Sequence, residues 1–203
     1  MELHRFSLGN MVTNSYILFS EEHRQAVLFD APAEPEKILK YMEERELTLQ
    51  YIFLTHAHFD HILALSELKA KTGAKIVLHE KEEQYLNDIS LNLSFEELPH
   101  VDADVLVKDA DVFEFCGTQI KVIHTPGHTV GSVCYYFDDT LISGDTLFLG
   151  SIGRFDFPMG SFEDEISSIK EKLMILPDDV KVYPGHGFRT SIGRERKGNP
   201  YLL

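Results

Sequence analysis

The sequence is poor in cysteine and in positive charge, and each shortage excludes a class of protein. Its 203 residues include only two cysteines, Cys116 and Cys134, with no CxxC pair. A disulfide framework is therefore not indicated, and a reducing compartment is expected. Lysine and arginine number 19 against 33 aspartates and glutamates, which gives a formal net charge of −14. Because duplex nucleic acid requires a basic face, nucleic acid is not an expected partner.

The sequence also lacks any long apolar run. No stretch approaches the roughly 20 apolar residues that span a membrane, and the first ten residues lack the apolar segment of a signal peptide. We therefore expect a cytoplasmic protein with no membrane association. Hydrophobic residues at 43% and charged residues at 26% are ordinary for a globular protein, and the length predicts one domain spanning residues 1–203.

The sequence does contain an alternation of strand-like and helix-like segments. β-favouring runs occupy 15–19, 26–29 (ended by the DAP of 30–32), 50–55, 74–79 and 180–183, with a block of strands from 105 to 143. Helical periodicity occupies 34–46, 62–71 and 162–176. Helices that alternate with strands and flank a strand block predict an α/β fold, in which two packed sheets carry helices on their outer faces.

Residues 55–61, THAHFDH, place three imidazoles and one carboxylate within six positions: His56, His58, Asp60 and His61. These side chains suit zinc, and they are also accepted by iron and manganese. A β-favouring segment precedes the run and a helix follows it. The ligands are therefore expected at the carboxyl end of a buried strand, where open-sheet proteins place their sites.

Three later loops offer further ligands, and each of them follows a strand and contains glycine, which lets the backbone turn sharply. They are TPGHT with His128, SGDT with Asp145 and PGHG with His186. Seven ligands are too many for one tetrahedral ion and predict two ions that share a carboxylate. The other histidines are expected to be ordinary surface or core residues: His4, His23, His79, His100 and His124.

This series of motifs, HxHxDH followed by GH, GD and GH, resembles the metallo-β-lactamase superfamily over nearly the whole chain. The resemblance implies a four-layer αββα sandwich with the metal site at one edge of the two sheets. It also implies two divalent ions, most readily zinc, with iron or manganese as alternatives. One ion takes His56, His58 and His128, the other takes Asp60, His61 and His186, and Asp145 bridges them. Asp rather than Cys at position 145 differs from lactamases of the common zinc subclasses.

Within the superfamily the chain is most similar to glyoxalase II-like hydrolases, through TNSY at 13–16, SGDTLF at 143–148 and GR at 153–154. The resemblance implies that a metal-bridging hydroxide cleaves a small-molecule thioester such as S-D-lactoylglutathione. Asp60 is then a catalytic residue that orients the hydroxide. Arg154 is implied as a substrate-binding residue, and an ion pair with Asp156 is its alternative role.

The chain departs from full-length glyoxalase II after His186. No separate C-terminal helical domain for glutathione is expected, and residues 190–200 resemble those of a short subgroup, TxIGxER…NP. Basic residues in this tail could replace the missing clamp or could solvate a helix face: Arg189, Arg194, Arg196 and Lys197. Likewise, Phe155, Phe157 and Met159 could line an acyl pocket or could simply pack. A homodimer is compatible with the sequence.

Three other functions stay open from the sequence. Persulfide dioxygenases share the superfamily fold and the GRxDF segment seen at 153–157, and they hold one iron with residues that match His56, His128 and Asp145. A lactone hydrolase could use the same site as the thioesterase. A metal-binding module without catalysis is the third alternative.

Overall fold

The computed structural model describes residues 1–203, and the chain divides into two compact units. The first unit holds Met1–Leu78 and Glu83–Leu106, and the second holds His79–Glu82 and Val107–Leu203. None of the helices has the length and apolar character needed to cross a membrane. A single domain and a cytoplasmic location stay predictions.

The first unit is built on a six-stranded mixed sheet in the order β1-β2-β3-β4-β5-β6. The strands are β1 (Glu2–Leu8), β2 (Thr13–Ser20), β3 (Gln25–Phe29), β4 (Thr48–Phe53), β5 (Lys75–His79) and β6 (Val105–Val107). β1, β2 and β3 are antiparallel neighbours, whereas β3, β4 and β5 run parallel. The carboxyl ends of β3 and β4 therefore lie at the same edge of this sheet.

Four helices connect these strands: α1 (Pro35–Glu44), α2 (Phe59–Ile62), α3 (Leu65–Thr72) and α4 (Ile89–Asn92). α1 begins at a proline, whose fixed φ suits the first helical turn, and it buries Ile38 and Met42. The helix predicted at 62–71 is interrupted at residues 63–64, which separate α2 from α3. α3 stops at Gly73, which adopts the left-handed conformation with a φ of 70°.

The second unit is built on another six-stranded sheet in the order β14-β13-β10-β9-β8-β7. The strands are β7 (Val112–Phe115), β8 (Thr118–His124), β9 (Val133–Phe137), β10 (Thr140–Gly144), β13 (Lys181–Pro184) and β14 (Thr190–Ser191). β10 is parallel to β13, and β9 is antiparallel to both β8 and β10. Three strands, β8, β10 and β13, thus end at one edge of this sheet.

The second unit also contains the short pair β11 (Leu147–Phe148) and β12 (Ser151–Ile152), and the helices α5 (Phe162–Ser168), which continues as a π-helix over Ile169–Leu173, and α6 (Ile192–Gly198). Ser161 and Ser191 cap the two helices, since each hydroxyl accepts a backbone N–H three residues later. Cys134 lies in the apolar core of this unit, and burial raises the pKa of its thiol to about 12. Cys134 is therefore a packing residue.

Candidate metal centre

The first unit presents four predicted ligands directly after β4. His56, His58 and His61 are almost completely buried, and the side chain of Asp60 is 13% exposed. The rings of His56 and His61 lie 4.1 Å apart between centroids, and Nε2 of His61 lies 3.7 Å from Oδ2 of Asp60. His58 is extended, and α2 begins at the next residue, so the helix turns Asp60 and His61 toward the same region of this unit.

Asp30, which directly follows β3, organises this run from the neighbouring strand. Its Oδ1 accepts the backbone N–H of Thr55 at 2.8 Å, and its Oδ2 accepts the Thr55 hydroxyl at 2.9 Å. Nδ1 of His61 lies 2.9 Å from the same Oδ2. Because Nδ1 is engaged by a carboxylate, His61 presents Nε2 as its ligand atom, an arrangement typical of metal-bound histidine.

Two threonines complete the surroundings of the first four ligands. The Thr13 hydroxyl donates to Oδ2 of Asp60 at 2.8 Å, and the Thr55 hydroxyl lies 3.1 Å from Nδ1 of His56. Thr13 belongs to the TNSY segment that carries part of the family resemblance. The role of Asp30 was not predicted, because the sequence signals only the end of a strand at that position.

The second unit presents the other three predicted ligands at the carboxyl ends of β8, β10 and β13. Oδ2 of Asp145 lies 3.8 Å from Nε2 of His128 and 3.5 Å from Nε2 of His186. His128 is buried, whereas the side chain of His186 is 29% exposed. The parallel pairing of β10 with β13 explains why Asp145 and His186 meet, since each follows the end of its strand.

α5 holds the loop that carries His128. The Ser168 hydroxyl donates to the carbonyl of Pro126, and the Ser161 N–H donates to the carbonyl of Gly127. Oε2 of Glu165 accepts the N–H of His128 at 2.8 Å. Glu165 is completely buried, and burial raises its pKa to about 9. Glu165 was not predicted as part of the site, because in the sequence it looks like one more acid of a charged helix.

Arg154 contributes to the site through its backbone. Its carbonyl lies 2.7 Å from Nδ1 of His128, which leaves Nε2 of His128 as the ligand atom. Its guanidinium pairs with Asp156 through two hydrogen bonds of 2.9 and 3.0 Å and lies over the ring of Phe157. This is the alternative role that the sequence offered for Arg154. A substrate-binding role for its side chain stays a prediction.

The residues of the tail motif form a hydrogen-bonded brace. The buried Glu195 accepts the Thr190 hydroxyl, the Asn199 amide and the N–H of Gly150. The Asn199 amide also donates to the carbonyl of Ser151. A second set of contacts occupies two of the basic residues. Arg196 donates to the carbonyls of Met174 and Leu176 and pairs with Asp178, which also pairs with Lys197.

The donor set fits divalent metal ions. His61 and His128 each engage Nδ1 with an oxygen atom of a neighbouring residue, which fixes the orientation of the ring and leaves Nε2 for a metal ion. Imidazole nitrogen combined with carboxylate oxygen suits zinc, iron or manganese better than calcium or magnesium, which prefer oxygen alone.

Comparison with known proteins identifies the family. Residues 8–186 match the sequence profile of the metallo-β-lactamase superfamily, and this stretch includes all seven predicted ligands. The chain belongs to the metallo-β-lactamase superfamily. Among its superfamily relatives is a probable metallo-hydrolase, YqgX of Bacillus subtilis, 40% identical over 208 residues that span 100% of this chain and 98% of that protein. The hydroxyacylglutathione hydrolase GloC of Haemophilus influenzae is 34% identical over 192 residues, or 91% of each protein.

Solved structures of the superfamily share the fold. The structure of BLEG-1 B3 metallo-β-lactamase matches with a TM-score of 0.94 and 36% identity over all of both chains. ETHE1 from Myxococcus xanthus matches with a TM-score of 0.85 and 32% identity over 98% of this chain and 84% of that one. TTHA1623 in a di-iron-bound form has a TM-score of 0.84 and 33% identity over 98% and 100%. The predicted family and fold class, an α/β sandwich with two mixed sheets and helices, are confirmed.

Proposed function

We propose that the chain is a binuclear metal-dependent hydrolase that cleaves a small-molecule thioester. The observation that carries this proposal is the position of Asp145 in the second unit. Its Oδ2 lies 3.8 Å from Nε2 of His128 and 3.5 Å from Nε2 of His186. One carboxylate oxygen beside two imidazole nitrogens is suited to a carboxylate shared between two ions.

The proposed assignment divides the seven ligands between two ions, with Asp145 shared. One ion takes His56, His58 and His128, and the other takes Asp60, His61 and His186. Two pairs within the first unit support this division: the rings of His56 and His58 lie 4.8 Å apart between centroids, and Nε2 of His61 lies 3.7 Å from Oδ2 of Asp60. Zinc is the metal proposed, and the di-iron-bound form of TTHA1623 makes iron the first alternative to test.

Two divalent ions, when bound, supply Lewis acidity and lower the pKa of water toward neutrality. The task of Asp60 is to accept a hydrogen bond from the attacking water and to orient it toward the substrate carbonyl. Thr13 holds the Asp60 carboxylate for this task by donating to Oδ2. A cysteine nucleophile is not part of the proposal, because burial raises the pKa of Cys134 to about 12.

The choice of a thioester rests on the family resemblance and on GloC, which is named a hydroxyacylglutathione hydrolase. We propose S-D-lactoylglutathione as the first substrate to test, with the cytoplasm as the place of action. Arg154 is the residue proposed to bind the substrate, and that role requires its guanidinium to exchange Asp156 for a substrate carboxylate or carbonyl.

The experiment that tests the proposal is hydrolysis of S-D-lactoylglutathione by purified protein of known metal content, followed as loss of the thioester absorbance. We expect a kcat/KM of about 10⁴ M⁻¹s⁻¹ or more, with two ions per chain. Asp145→Ala is expected to lose metal and activity together. Negligible turnover of this and other thioesters by protein with two ions bound would contradict the proposal.

A second candidate is an iron dioxygenase that uses His56, His128 and Asp145. It predicts one iron per chain and oxygen uptake with glutathione persulfide, whereas the hydrolase consumes no oxygen. Because the structure is similar to that of ETHE1, oxygen uptake and iron content should be measured alongside hydrolysis. The same protein should be assayed with a lactone and with nitrocefin, since a structure named B3 metallo-β-lactamase is also similar.

A further inference from the structure

A cavity of about 380 Å³ opens in the first unit beside Asp60. The loop between β1 and β2 contributes Met11, α2 contributes Phe59, and the segment after α4 contributes Phe95. Leu63, which directly follows α2, belongs to the same apolar wall. The volume is in the range of small-molecule sites, about 300–1,000 Å³. A larger cavity of about 510 Å³, beside Lys69 and His100, includes none of the predicted ligands.

The apolar wall of this cavity is unusually open to solvent. Met11 is 56% exposed, Leu63 44% and Phe95 93%. The Phe59 and Phe95 rings meet edge to face at 5.7 Å, so an element far along the chain contributes to the same wall. Apolar side chains that cluster on the surface of a protein mark a place where another apolar group binds, because water contact with all of them is unfavourable.

Part of the cavity lining is polar and belongs to the proposed catalytic machinery. Asp60 lines the cavity, and so does Thr13, whose hydroxyl donates to Oδ2 of Asp60. An occupant that contacts both the apolar wall and Asp60 therefore has an apolar arm and a polar group beside Asp60. A substrate whose carbonyl is cleaved beside Asp60 meets this description.

The charges of the wall exclude an anionic arm. Asp60 and Glu34 are the charged residues that line the cavity, and both are acidic; no lysine or arginine lines it. Glu34 is already engaged, because it accepts the N–H of Gly9 and pairs with Lys37. The glutathionyl group carries two carboxylates, and no cationic side chain lines this cavity to pair with them, so this wall is better matched to an uncharged group.

We propose that this cavity binds an uncharged apolar arm of the substrate, attached to the carbonyl that is cleaved beside Asp60. The inference rests on the proposed function and narrows its substrate class to thioesters with an apolar arm. The apolar arm of the substrate is either the acyl chain or the alkyl group of the thiol. The experiment tests each of these with its own series of substrates.

In the first series, kcat/KM is measured for acetyl, butyryl, hexanoyl and octanoyl thioesters of N-acetylcysteamine. In the second series, kcat/KM is measured for acetyl thioesters of ethanethiol, butanethiol and hexanethiol. In one series we expect kcat/KM to rise roughly threefold to fourfold per added methylene until the cavity is filled, because each buried methylene contributes about 0.8 kcal/mol. The other series should stay nearly flat. The rising series identifies the source of the arm.

Two variants test whether the dependence of kcat/KM on chain length arises in this cavity. Met11→Ser and Phe95→Ser are both expected to reduce the ratio of kcat/KM between the longest and shortest substrate by tenfold or more. Both side chains are already more than half exposed, so the fold should tolerate the changes. Ile175→Ser is the matched control, since Ile175 is 75% exposed and does not line the cavity. Its chain-length ratio should equal that of the unaltered protein.

A binding measurement keeps this inference separate from the proposed function. Calorimetry with S-methyl-N-acetylcysteamine and S-hexyl-N-acetylcysteamine, thioethers that cannot be hydrolysed, should show at least tenfold tighter binding of the hexyl compound. Preferential hexyl binding without any thioester turnover would sink the proposed function and leave the cavity assignment standing. Flat chain-length profiles in both kinetic series together with equal thioether binding would overturn the cavity assignment.

Discussion

At the scale of single residues, Asp30 decides which nitrogen of His61 can bind a metal. One Asp30 carboxylate oxygen accepts from Thr55 and engages Nδ1 of His61. Thirty-one positions separate Asp30 from His61 in the sequence, and no local spacing rule joins them. Ligands that follow a strand can be predicted from a motif. A carboxylate that orients one of them becomes visible only when two parallel strands, β3 and β4, place their ends together.

Asp30→Ala is expected to weaken metal binding by 10- to 100-fold, since His61 loses the group that fixes its orientation. Chelator competition measures the loss directly. Asp139→Ala is the control, because the Asp139 carboxylate pairs with the exposed Lys181 and accepts the Thr140 hydroxyl, away from every predicted ligand. Equal metal affinity in Asp30→Ala and Asp139→Ala would show that Asp30 does not orient His61 for metal binding and acts on folding alone.

Arg154→Ala is expected to raise KM about tenfold and to change kcat much less, if the guanidinium binds substrate equally in the ground and transition states. Stability should barely change, because the pair with Asp156 is exposed and such pairs contribute little. Steady-state kinetics with S-D-lactoylglutathione provide the measurement. A KM equal to that of the unaltered protein would leave Arg154 with its ion pair and its backbone carbonyl as its only roles.

His79 makes stability depend on pH. Burial, and then the stacked His124, lower the pKa of His79 to about 4, while the unfolded value is about 6.5. The facing charges are Glu80, Lys81 and Asp109. Between these two pKa values the unfolded chain binds more protons than the folded chain, so stability should fall as the pH is lowered from 6.5 toward 4. Urea unfolding of metal-free protein should show this slope, and His79→Gln should reduce it.

At the scale of elements, α5 positions a ligand loop without contributing a ligand. It contacts consecutive residues, Pro126, Gly127 and His128, through Ser168, Ser161 and Glu165. Gly127 allows this close approach, because a Cβ there would overlap the backbone and carboxyl of Glu165, and its φ of 148° disfavours other residues. The helix itself was predictable from periodicity, whereas its contact with the His128 loop was not.

Gly127→Ala is therefore expected to lower the free energy of unfolding by about 2–3 kcal/mol through overpacking against α5 and to weaken metal binding at His128. Gly198→Ala is the matched control, since a Cβ there meets open space at the end of α6. Alanine is the better helix former by up to about 1 kcal/mol, so this variant should be as stable as the parent or slightly more stable. Urea titration compares the two.

The strand pattern shows how far sequence reasoning reaches for elements. β2, β3, β4 and β5 were predicted because their apolar runs are buried. β1 was missed, because it lies at the edge of its sheet and most of its side chains are exposed, so it lacks a buried apolar run. β11, β12 and β14 have two residues each, and such short pairings leave no periodic signal.

At the scale of the whole molecule, four predicted ligands belong to the first unit and three to the second. The motif series predicts all seven as ligands, since each follows the end of a strand. The surroundings of those ligands depend on contacts between residues far apart in sequence. For that reason Asp30, Glu165 and the brace at Glu195 could not be predicted from the sequence.

Metal removal is expected to lower the thermal stability of the whole chain. At a free metal concentration of 100 times the dissociation constant, one bound ion stabilises the folded state by about 2.7 kcal/mol. For a chain of this size that corresponds to roughly 5–10 °C in melting temperature per ion. Calorimetry with and without a chelator measures the shift. Asp145→Ala, which is expected to bind little metal, should show almost no shift; an equal shift would contradict the role proposed for Asp145.

The brace at Glu195 has a consequence for the order in which parts of the second unit fold during synthesis. Gly150 and Ser151 lie between the predicted ligand Asp145 and Arg154, the residue whose carbonyl engages His128, and they are held by Glu195 and Asn199. Glu195 leaves the ribosome 45 positions after Gly150. During synthesis the loop that follows Asp145 therefore lacks these hydrogen bonds until α6 has been made. We expect metal to bind the second unit only after α6 has folded against this loop.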